Sequence, residues 1–502
     1  MQPIRGPLAL STLVLAGLLA VAAPSVAQAS PAEPDWPALL EADARAFHAA
    51  LRDRHPGPVD PENPGFSAML DAALARALER VPETRDYGGY WWALREFRAA
   101  FDDGHVQLVQ LPGAPALPMR WPGFLTALRD GHHEVAARLD GPGLPPAGAR
   151  LLDCDGIAAD DLAGSRLGRF YGRWQLPATR QALAGRLFVD AGNPWAPPPR
   201  ECRFERDGEV RSVRLQWRDL AAEELDGLLA ATRSAPPAAT GIRSLDDGRL
   251  LWITMAGFDA DPDSEDHARL TAVLAGLEDG ERVAAASRVV LDVRGNGGGS
   301  SHWSREIAAL LWGDAALEAA AGGSGAVDWR VAEGNIGDIR AFRDMLLAQE
   351  SPDPELLRWS GIILEGMSAA RERGEALWRQ PEDEGEAGAA PEPPAPPRPR
   401  RPGTDASVVV LTDSSCASAC LDALDLWLPL GAIHAGAETS ADTLYMEVGG
   451  QALPGGLSRI GLPMKVYRGR RRGNNEPYVP AHPFPDGPLD DAALEAWVRT
   501  LP

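Results

Sequence analysis

A short segment rich in small residues, Thr412 to Cys420, contains the candidate nucleophile of this chain. It reads Thr-Asp-Ser-Ser-Cys-Ala-Ser-Ala-Cys and joins an apolar run to a segment with helical periodicity. A nucleophile at such a junction gains the N–H groups of the helix N-terminus as anion stabilisers. Helix capping explains Ser414 or Ser415. With such a cap, Ser418 would lie inside the first turn, where capping does not explain it, and it is therefore the candidate nucleophile.

A glycine-rich loop is the second candidate for chemistry. Gly295 to Ser300 reads Gly-Asn-Gly-Gly-Gly-Ser and directly follows an apolar, buried-type strand. The dinucleotide-binding pattern needs glycine where Ser300 stands, and a phosphate loop needs Gly-Lys-Ser or Gly-Lys-Thr, which the segment lacks. An oxyanion hole fits better, with backbone N–H donors from Gly297, Gly298 and Ala419. A simple turn is the alternative, but so many glycines would weaken a turn without need.

A base for the serine is the third requirement. His105 stands between an Asp-Asp-Gly turn and an alternating strand, and its unperturbed pKa of about 6.5 suits a base near neutral pH. Lys465 is the single lysine, and it could serve only if it were held neutral. Neither the histidines, which do not form H-E-x-x-H, nor the cysteines, which do not form C-x-x-C, match a zinc site. We therefore expect neither a metal ion nor an organic cofactor.

The net charge limits the possible partners, and the N-terminal segment predicts the location. The 502 residues carry 49 Lys+Arg against 71 Asp+Glu, a net charge of −22, which argues against nucleic acid and anionic membranes as partners. Arg5, the apolar stretch Leu8 to Ala23 and Ala27-Gln28-Ala29 together predict a cleaved signal peptide over residues 1–29. The alternative is an uncleaved anchor. We expect a periplasmic or secreted protein that is not an integral membrane protein after cleavage.

Four cysteines in an exported chain permit two disulfides, and three connectivities are possible. Cys416 and Cys420 are four residues apart, so both could face one side of a helical turn. The preferred pairing is Cys416–Cys420 with Cys154–Cys202.

The order of helical, strand-rich and alternating segments along the chain predicts a multi-domain α/β fold. Residues 30–116 form a helical region that ends in the Asp-Gly-His turn, and residues 117–220 form short strands with turns at Asp155-Gly156 and Asp207-Gly208. Residues 221–502 alternate strands and helices: we expect strands at 250–253, 288–293 and 407–412, with helices at 267–277 and 419–428. Residues 383–403 are rich in proline, glycine and arginine and are interpreted as a flexible loop.

Three of these segments together resemble the C-terminal processing (tail-specific) serine peptidases and their tricorn-core relatives. Val290 to Gly299 resembles the family's L-D-x-R-x-N-x-G-G strand and loop, and Cys416 to Cys420 resembles its S-A-S-A-S segment, whose middle serine is catalytic. Asp103-Gly104-His105 is similar to the histidine turn of the tricorn-like branch. Pro142 to Leu162 resembles part of a PDZ domain. The resemblance implies a serine peptidase with residues 117–220 as a PDZ-like domain.

The chain departs from this family at two positions. Processing peptidases use a lysine base about 25 residues after the serine, and position 443 is a threonine here. The tricorn-like branch uses a histidine preceded by a serine that links it to a glutamate, and Gly104 stands at that place. Glu476 is the first choice for the acid, because Glu476 to Pro480 loosely resembles the family's late E-x-x-V-x-P stretch. Glu438 and Asp442 are the alternatives.

The sequence thus predicts a secreted serine peptidase acting through Ser418 and His105 on a peptide or protein, whose C-terminus the PDZ-like region would bind. The alternative is a non-catalytic peptide- or ligand-binding protein on the same scaffold.

Overall fold

The structure is a computed structural model that describes residues 34–232, 239–278, 280–321, 326–349, 352, 354–381, 404–484 and 491–502. The predicted signal peptide, residues 1–29, and the predicted flexible loop, residues 383–403, lie outside these ranges. Within them, no helix is both long enough and apolar enough to cross a membrane.

The N-terminal region folds as the helices that the sequence predicts, α1 (Trp36–Arg54), α2 (Phe66–Arg80) and α3 (Tyr87–Ala99). Their apolar periodic positions form one core, in which Phe47, Phe66 and Phe97 are fully or almost fully buried. The helix α3 begins at its cap Asp86, whose carboxylate accepts the N–H of Gly89. After the Asp-Gly-His turn the chain enters the strand β1 (Gln107–Gln110).

The next region has a sheet and a core of its own. It contains β2 (Arg120–Trp121), β3 (Phe124–Arg129), β4 (His132–Arg138), β5 (Arg150–Cys154), β6 (Ile157–Ala158), α4 (Ala159–Ala163), α5 (Arg169–Tyr171), α6 (Pro177–Leu183), β7 (Glu201–Arg206), β8 (Glu209–Arg214), β9 (Arg218–Asp219) and α7 (Ala222–Ala230). The strand order is β3-β4-β5-β7-β8, with β6 beside β5. The predicted hairpin turns at Asp155-Gly156 and Asp207-Gly208 are present, with positive φ at all four residues. The PDZ-like assignment and the predicted domain boundaries stay predictions.

The remaining chain alternates strands and helices. It forms, in order, β10 (Gly241–Leu245), β11 (Leu250–Thr254), α8 (Glu265–Ala275), α9 (Glu281–Ala285), β12 (Arg288–Asp292), α10 (His302–Trp312), α11 (Asp314–Ala321), β13 (Ala326–Arg330), α12 (Glu333–Leu347), α13 (Pro354–Glu372), β14 (Leu377–Arg379), β15 (Ser407–Thr412), α14 (Ala419–Trp427), β16 (Ile433–Gly436), β17 (Tyr445–Ala452), β18 (Ser458–Arg468), β19 (His482–Pro483) and α15 (Asp491–Thr500). The α/β fold that the sequence predicts is confirmed.

Two sheets organise this part of the chain. The first has the order β10-β11-β12-β15-β16-β19, in which only the β10–β11 pair is antiparallel. Its central strands are apolar on both faces because α8, α10 and α14 contribute to the core on one face and α15 covers the other. In the second sheet, β1 and β13 pair with one edge of the long strand β18, and β17 pairs with its other edge.

Both predicted disulfides are present. Cys154 bonds to Cys202 across the neighbouring strands β5 and β7, and Cys416 bonds to Cys420 at the start of α14. All four cysteines are fully buried. The preferred connectivity is therefore confirmed.

Candidate active site

The glycine-rich loop and the serine segment lie side by side because they follow neighbouring parallel strands. Asp292 at the end of β12 pairs with Leu411 in β15, so both loops leave the sheet at its carboxyl edge. The N–H of Gly295 donates to the carboxylate of Asp413, at 3.1 Å to each oxygen. The N–H of Ala417 donates to the carbonyl of Asn296 at 3.4 Å. These hydrogen bonds fix the two loops against each other.

Ser418 occupies a strained turn at the start of α14. Its φ of 54° and ψ of −124° are costly for a residue with a side chain. The Cys416–Cys420 disulfide spans the turn, and the N–H of Ser418 donates to Oδ2 of Asp442 at 2.6 Å. The turn leaves Ser418 half-buried, and none of the described residues forms a hydrogen bond with its hydroxyl group.

The three predicted oxyanion donors differ in what their N–H groups contact. The N–H of Gly298 donates to Oδ1 of Asn296 at 2.9 Å. Within the described ranges, the N–H groups of Gly297 and Ala419 have no acceptor, and Ala419 is the first residue of α14. Gly298 instead has a steric role: a Cβ on it would stand 2.7 Å from Cβ of Ser418.

His105 is held beside a buried carboxylate, Asp103. Oδ1 of Asp103 accepts the backbone N–H of His105 at 2.7 Å and lies 3.7 Å from its Nδ1. At that distance the Nδ1 atom has no hydrogen-bond partner among the described residues, and it is shielded from solvent. Burial is the largest single influence on the pKa of His105 and lowers it, but the carboxylates of Asp103 and Asp442 together raise the pKa above its ordinary value.

Two further residues hold Asp103 from its other side. The hydroxyl group of Thr443 donates to Oδ2 of Asp103 at 2.9 Å, and Nε2 of His55 lies 3.9 Å from the same oxygen. Nδ1 of His55 accepts the N–H of Gly57 at 2.9 Å, so Nε2 carries the proton and points its positive end at Asp103. Burial lowers the pKa of His55, which favours this neutral form. Asp103, His55 and Thr443 are not predicted as site residues from the sequence. The only sequence signals for them are the Asp-Gly-His turn and the spacing of Thr443 from Ser418.

Asp442 contacts the serine turn and acts on the histidine through its charge. Its carboxylate accepts the N–H of Ser418 and raises the pKa of His105. The guanidinium group of Arg173 lies 3.7 Å from Asp442 and donates to the carbonyl of Ala441 at 2.7 Å. It also fills the space where a side chain at Gly104 would stand, because a Cβ there would be 3.1 Å from Nη1 of Arg173.

The other sequence candidates lie in different surroundings. Glu476 is exposed and its carboxylate accepts the N–H of Gly473 in its own loop, at 2.8 Å. Glu438 is half-buried and forms no hydrogen bond with the described residues. No contact among these residues joins either glutamate to His105, so the structure does not bring them to the histidine as it brings Asp103.

Lys465 is tied into an ion pair on β18. Its Nζ lies 3.2 Å from Oε2 of Glu447 and 5.3 Å from the ring centre of Trp329. Burial lowers the pKa of Lys465, but the neighbouring Tyr467 and Glu447 outweigh burial and raise the pKa well above its usual range. A lysine with a raised pKa stays protonated at neutral pH and cannot accept a proton from serine.

Comparison with known proteins finds similarity in structure rather than in sequence. No family model and no curated protein matches the chain. The crystal structure of mature CPAF is 14% identical, with a TM-score of 0.58, over 90% of this chain and 93% of that chain. A CPAF mutant is 13% identical, with a TM-score of 0.59, over the same shares of the two chains. The photosystem II D1 C-terminal processing protease is 14% identical, with a TM-score of 0.32, over 90% of this chain and 93% of that chain. The fold that the sequence resemblance predicts is confirmed by the likeness to mature CPAF, and at this level of identity that likeness concerns the fold alone.

Proposed function

We propose that this chain is a serine-type peptidase that uses Ser418 as nucleophile and His105 as base. The observation that carries the proposal is the strained, disulfide-clamped turn at Ser418, whose neighbour Asp442 also acts on His105. Strain of this kind persists only where the surrounding structure enforces it, and it is common at active sites.

Each group has a definite role in the proposed reaction. Oγ of Ser418 attacks the carbonyl carbon of the peptide bond while its proton passes to Nε2 of His105. His105 then gives that proton to the leaving amine, and a water molecule releases the acyl group by the same route in reverse. The oxyanion is stabilised by the N–H groups of Gly297 and Ala419, the two predicted donors without a protein acceptor in the described part of the chain.

Asp103 replaces Glu476 as the proposed acid of this relay. It is buried and lies 3.7 Å from Nδ1 of His105, just beyond hydrogen-bond distance. Such contacts often tighten only when substrate is bound. The interactions of Asp103 with His105 and His55 outweigh its burial and hold its pKa far below the usual range, so it stays ionised.

The substrate is a peptide or protein and the location is periplasmic or secreted. The two disulfides fit an oxidising compartment. Residues 117–220 are proposed as a PDZ-like module that holds an extended peptide, because such modules bind a peptide as an added strand of their sheet.

A fluorophosphonate probe tests the function without knowledge of the substrate. Such a probe phosphonylates an activated serine hydroxyl group and releases fluoride. We expect the parent chain to be labelled at Ser418, and Ser418→Ala and His105→Ala to remain unlabelled although folded by circular dichroism. Peptide products from the parent alone, measured by mass spectrometry, complete the test. A folded parent that is neither labelled nor active on diverse peptides would establish the alternative, a non-catalytic binding protein.

A further inference from the structure

A cavity of about 390 Å³ lies beside the proposed catalytic groups. Its wall includes Ser414, four residues before Ser418, and Ser440, two residues before Asp442. Gln107, two residues after His105, also lines it. The cavity is therefore in contact with all three segments that carry the candidate catalytic groups, and a substrate held at Ser418 would have part of its chain beside it.

The charge of this cavity is opposite to that of the chain. Three arginines, Arg95, Arg98 and Arg173, line the cavity, and its lining contains no acidic residue among the described ones. The whole chain carries a net charge of −22. Because all the charged lining residues are arginines and low-dielectric walls strengthen the field inside a cleft, the cavity favours anions locally. Asp442, 3.7 Å from Arg173, offsets part of this positive charge.

Two of the three guanidinium groups already have protein partners. Arg98 donates to the carbonyl groups of Val106 at 2.6 Å, Tyr171 at 2.8 Å and Asp103 at 3.1 Å. Arg173 donates to the carbonyl of Ala441. These two arginines position the turn at Asp103 and the segment at Asp442.

Arg95 is different, because none of the described residues forms a hydrogen bond or an ion pair with its guanidinium group. Its Nε atom is shielded from solvent and has no partner, and burial lowers the pKa of its guanidinium group. The group stacks on Tyr171, with 4.3 Å between its central carbon and the ring centre. Stacking on an aromatic ring satisfies the face of a guanidinium group but leaves its N–H donors free.

The three arginines also act on one another. Burial, followed by the charges of Arg95 and Arg173, lowers the pKa of Arg98 to about 10. Guanidinium groups remain charged in proteins at neutral pH. Arg95, half-buried beside these charges and without a hydrogen-bond partner among the described residues, would gain one from an anion in the cavity.

We propose that this cavity is a subsite for a carboxylate group of the substrate, with Arg95 as the residue that binds it directly. The proposal rests on the proposed peptidase function and names the chemistry of its substrate: a peptide with a carboxylate near the scissile bond. An aspartate or glutamate side chain and a free C-terminus both supply that group. A planar guanidinium fork matches a carboxylate with two parallel hydrogen bonds, which a neutral amide cannot reproduce.

The test uses peptides that the parent chain cleaves, each made in matched forms. One set exchanges Asp for Asn or Glu for Gln near the cleaved bond, and the other exchanges the free C-terminus for an amide. The kcat/KM of each form is measured for the parent, Arg95→Gln and a control, Arg45→Gln. The control removes the same charge from an exposed arginine whose described partner is Glu41 in the neighbouring helical turn.

We expect loss of the carboxylate to lower kcat/KM by about tenfold or more in the parent and in Arg45→Gln, the usual effect of a hydrogen bond to a charged group. In Arg95→Gln the same exchange should change kcat/KM by less than about twofold, since the partner is already absent. The peptide set that responds identifies the source of the carboxylate. If Arg95→Gln does not fold, Arg95→Lys keeps the charge without the fork and should give an intermediate discrimination.

The subsite is refuted if the parent ignores every carboxylate exchange, or if Arg95→Gln discriminates as strongly as the parent. Binding of the same fluorescent peptides to Ser418→Ala, measured by anisotropy, separates this proposal from the proposed function. Carboxylate-dependent binding without cleavage by the parent would refute the peptidase and support the subsite. Absence of both binding and cleavage would refute the two together.

Discussion

Replacing Gly298 with alanine should disable Ser418 while the rest of the fold persists. An added Cβ would lie 2.7 Å from Cβ of Ser418, 2.8 Å from the carbonyl oxygen of Ala417 and 3.0 Å from the nitrogen of Ala419. Ordinary contacts begin at 3.4 Å, so the glycine loop and the serine turn would have to separate by 3.4 − 2.7 = 0.7 Å to reach one. Displacement of a catalytic group by about 1 Å costs about 100-fold in rate, and we expect a loss of that order in kcat/KM.

The same substitution also strains the loop, because Gly298 has a φ of +102°. This should lower the free energy of unfolding by about 1–3 kcal/mol, a loss that leaves a folded protein to assay. The control is Gly257→Ala in the neighbouring loop, where an added Cβ meets no atom within 4 Å. The rate of fluorophosphonate labelling and denaturant unfolding are measured for both variants. Labelling of folded Gly298→Ala at the parent's rate would refute the argument that this glycine fixes Ser418.

Three further predictions concern the base, the clamp and the lysine. Because His105 acts in its neutral form and its pKa is raised, kcat/KM should rise with pH through an apparent pKa above 6.5. Asp103→Asn should move this rise to lower pH and reduce the plateau of kcat/KM. Profiles of kcat/KM from about pH 5 to 9 check both, and a rise at the same pH in parent and variant would contradict the reasoning. The double variant Cys416→Ser/Cys420→Ser should be labelled by the fluorophosphonate far more slowly than the parent. The control Cys154→Ser/Cys202→Ser should keep the labelling rate and lose about 2–4 kcal/mol in the free energy of unfolding. Equal labelling of the two variants would count against a role of the Cys416–Cys420 disulfide in holding Ser418. Lys465→Ala should keep most of the kcat/KM while His105→Ala loses nearly all of it, and the reverse order would overturn the mechanism.

The parts of the fold that could be predicted are those whose signal is local. The strands β11, β12 and β15 are short apolar runs bounded by polar turns, and each lies within one or two residues of its predicted position. The hairpin turns were recognisable because Asp-Gly tolerates positive φ at both residues. The segment 326–379, with β13, β14 and the helices α12 and α13, was not predicted. Its two strands are short, β14 pairs only with β13 among the described strands, and β13 pairs with the distant β18.

The residues of the candidate site likewise divide into those with a local sequence signal and those placed by long-range contacts. Ser418, His105 and the glycine loop could be located because each belongs to a short motif with a recognisable backbone requirement. The surroundings of Asp103 could not, because Thr443 contacts it from 340 residues away and His55 reaches it from the end of another helix. The prediction of Glu476 rests on a loose motif, and its carboxylate accepts a hydrogen bond within its own loop. Sequence spacing identifies reactive groups, whereas their partners depend on tertiary contacts.

The change at the family's lysine position shows how the site could work without a lysine base. In the processing peptidases that the sequence resembles, a lysine stands about 25 residues after the serine, and Thr443 stands there in this chain. Its hydroxyl group donates to Asp103, the carboxylate beside His105. The only lysine is far along β18, charged and paired with Glu447. The position that holds the lysine base in those peptidases would thus hold Asp103, the acid partner of His105, in this chain. Thr443→Val should therefore weaken His105 as a base although His105 and Ser418 are both still present.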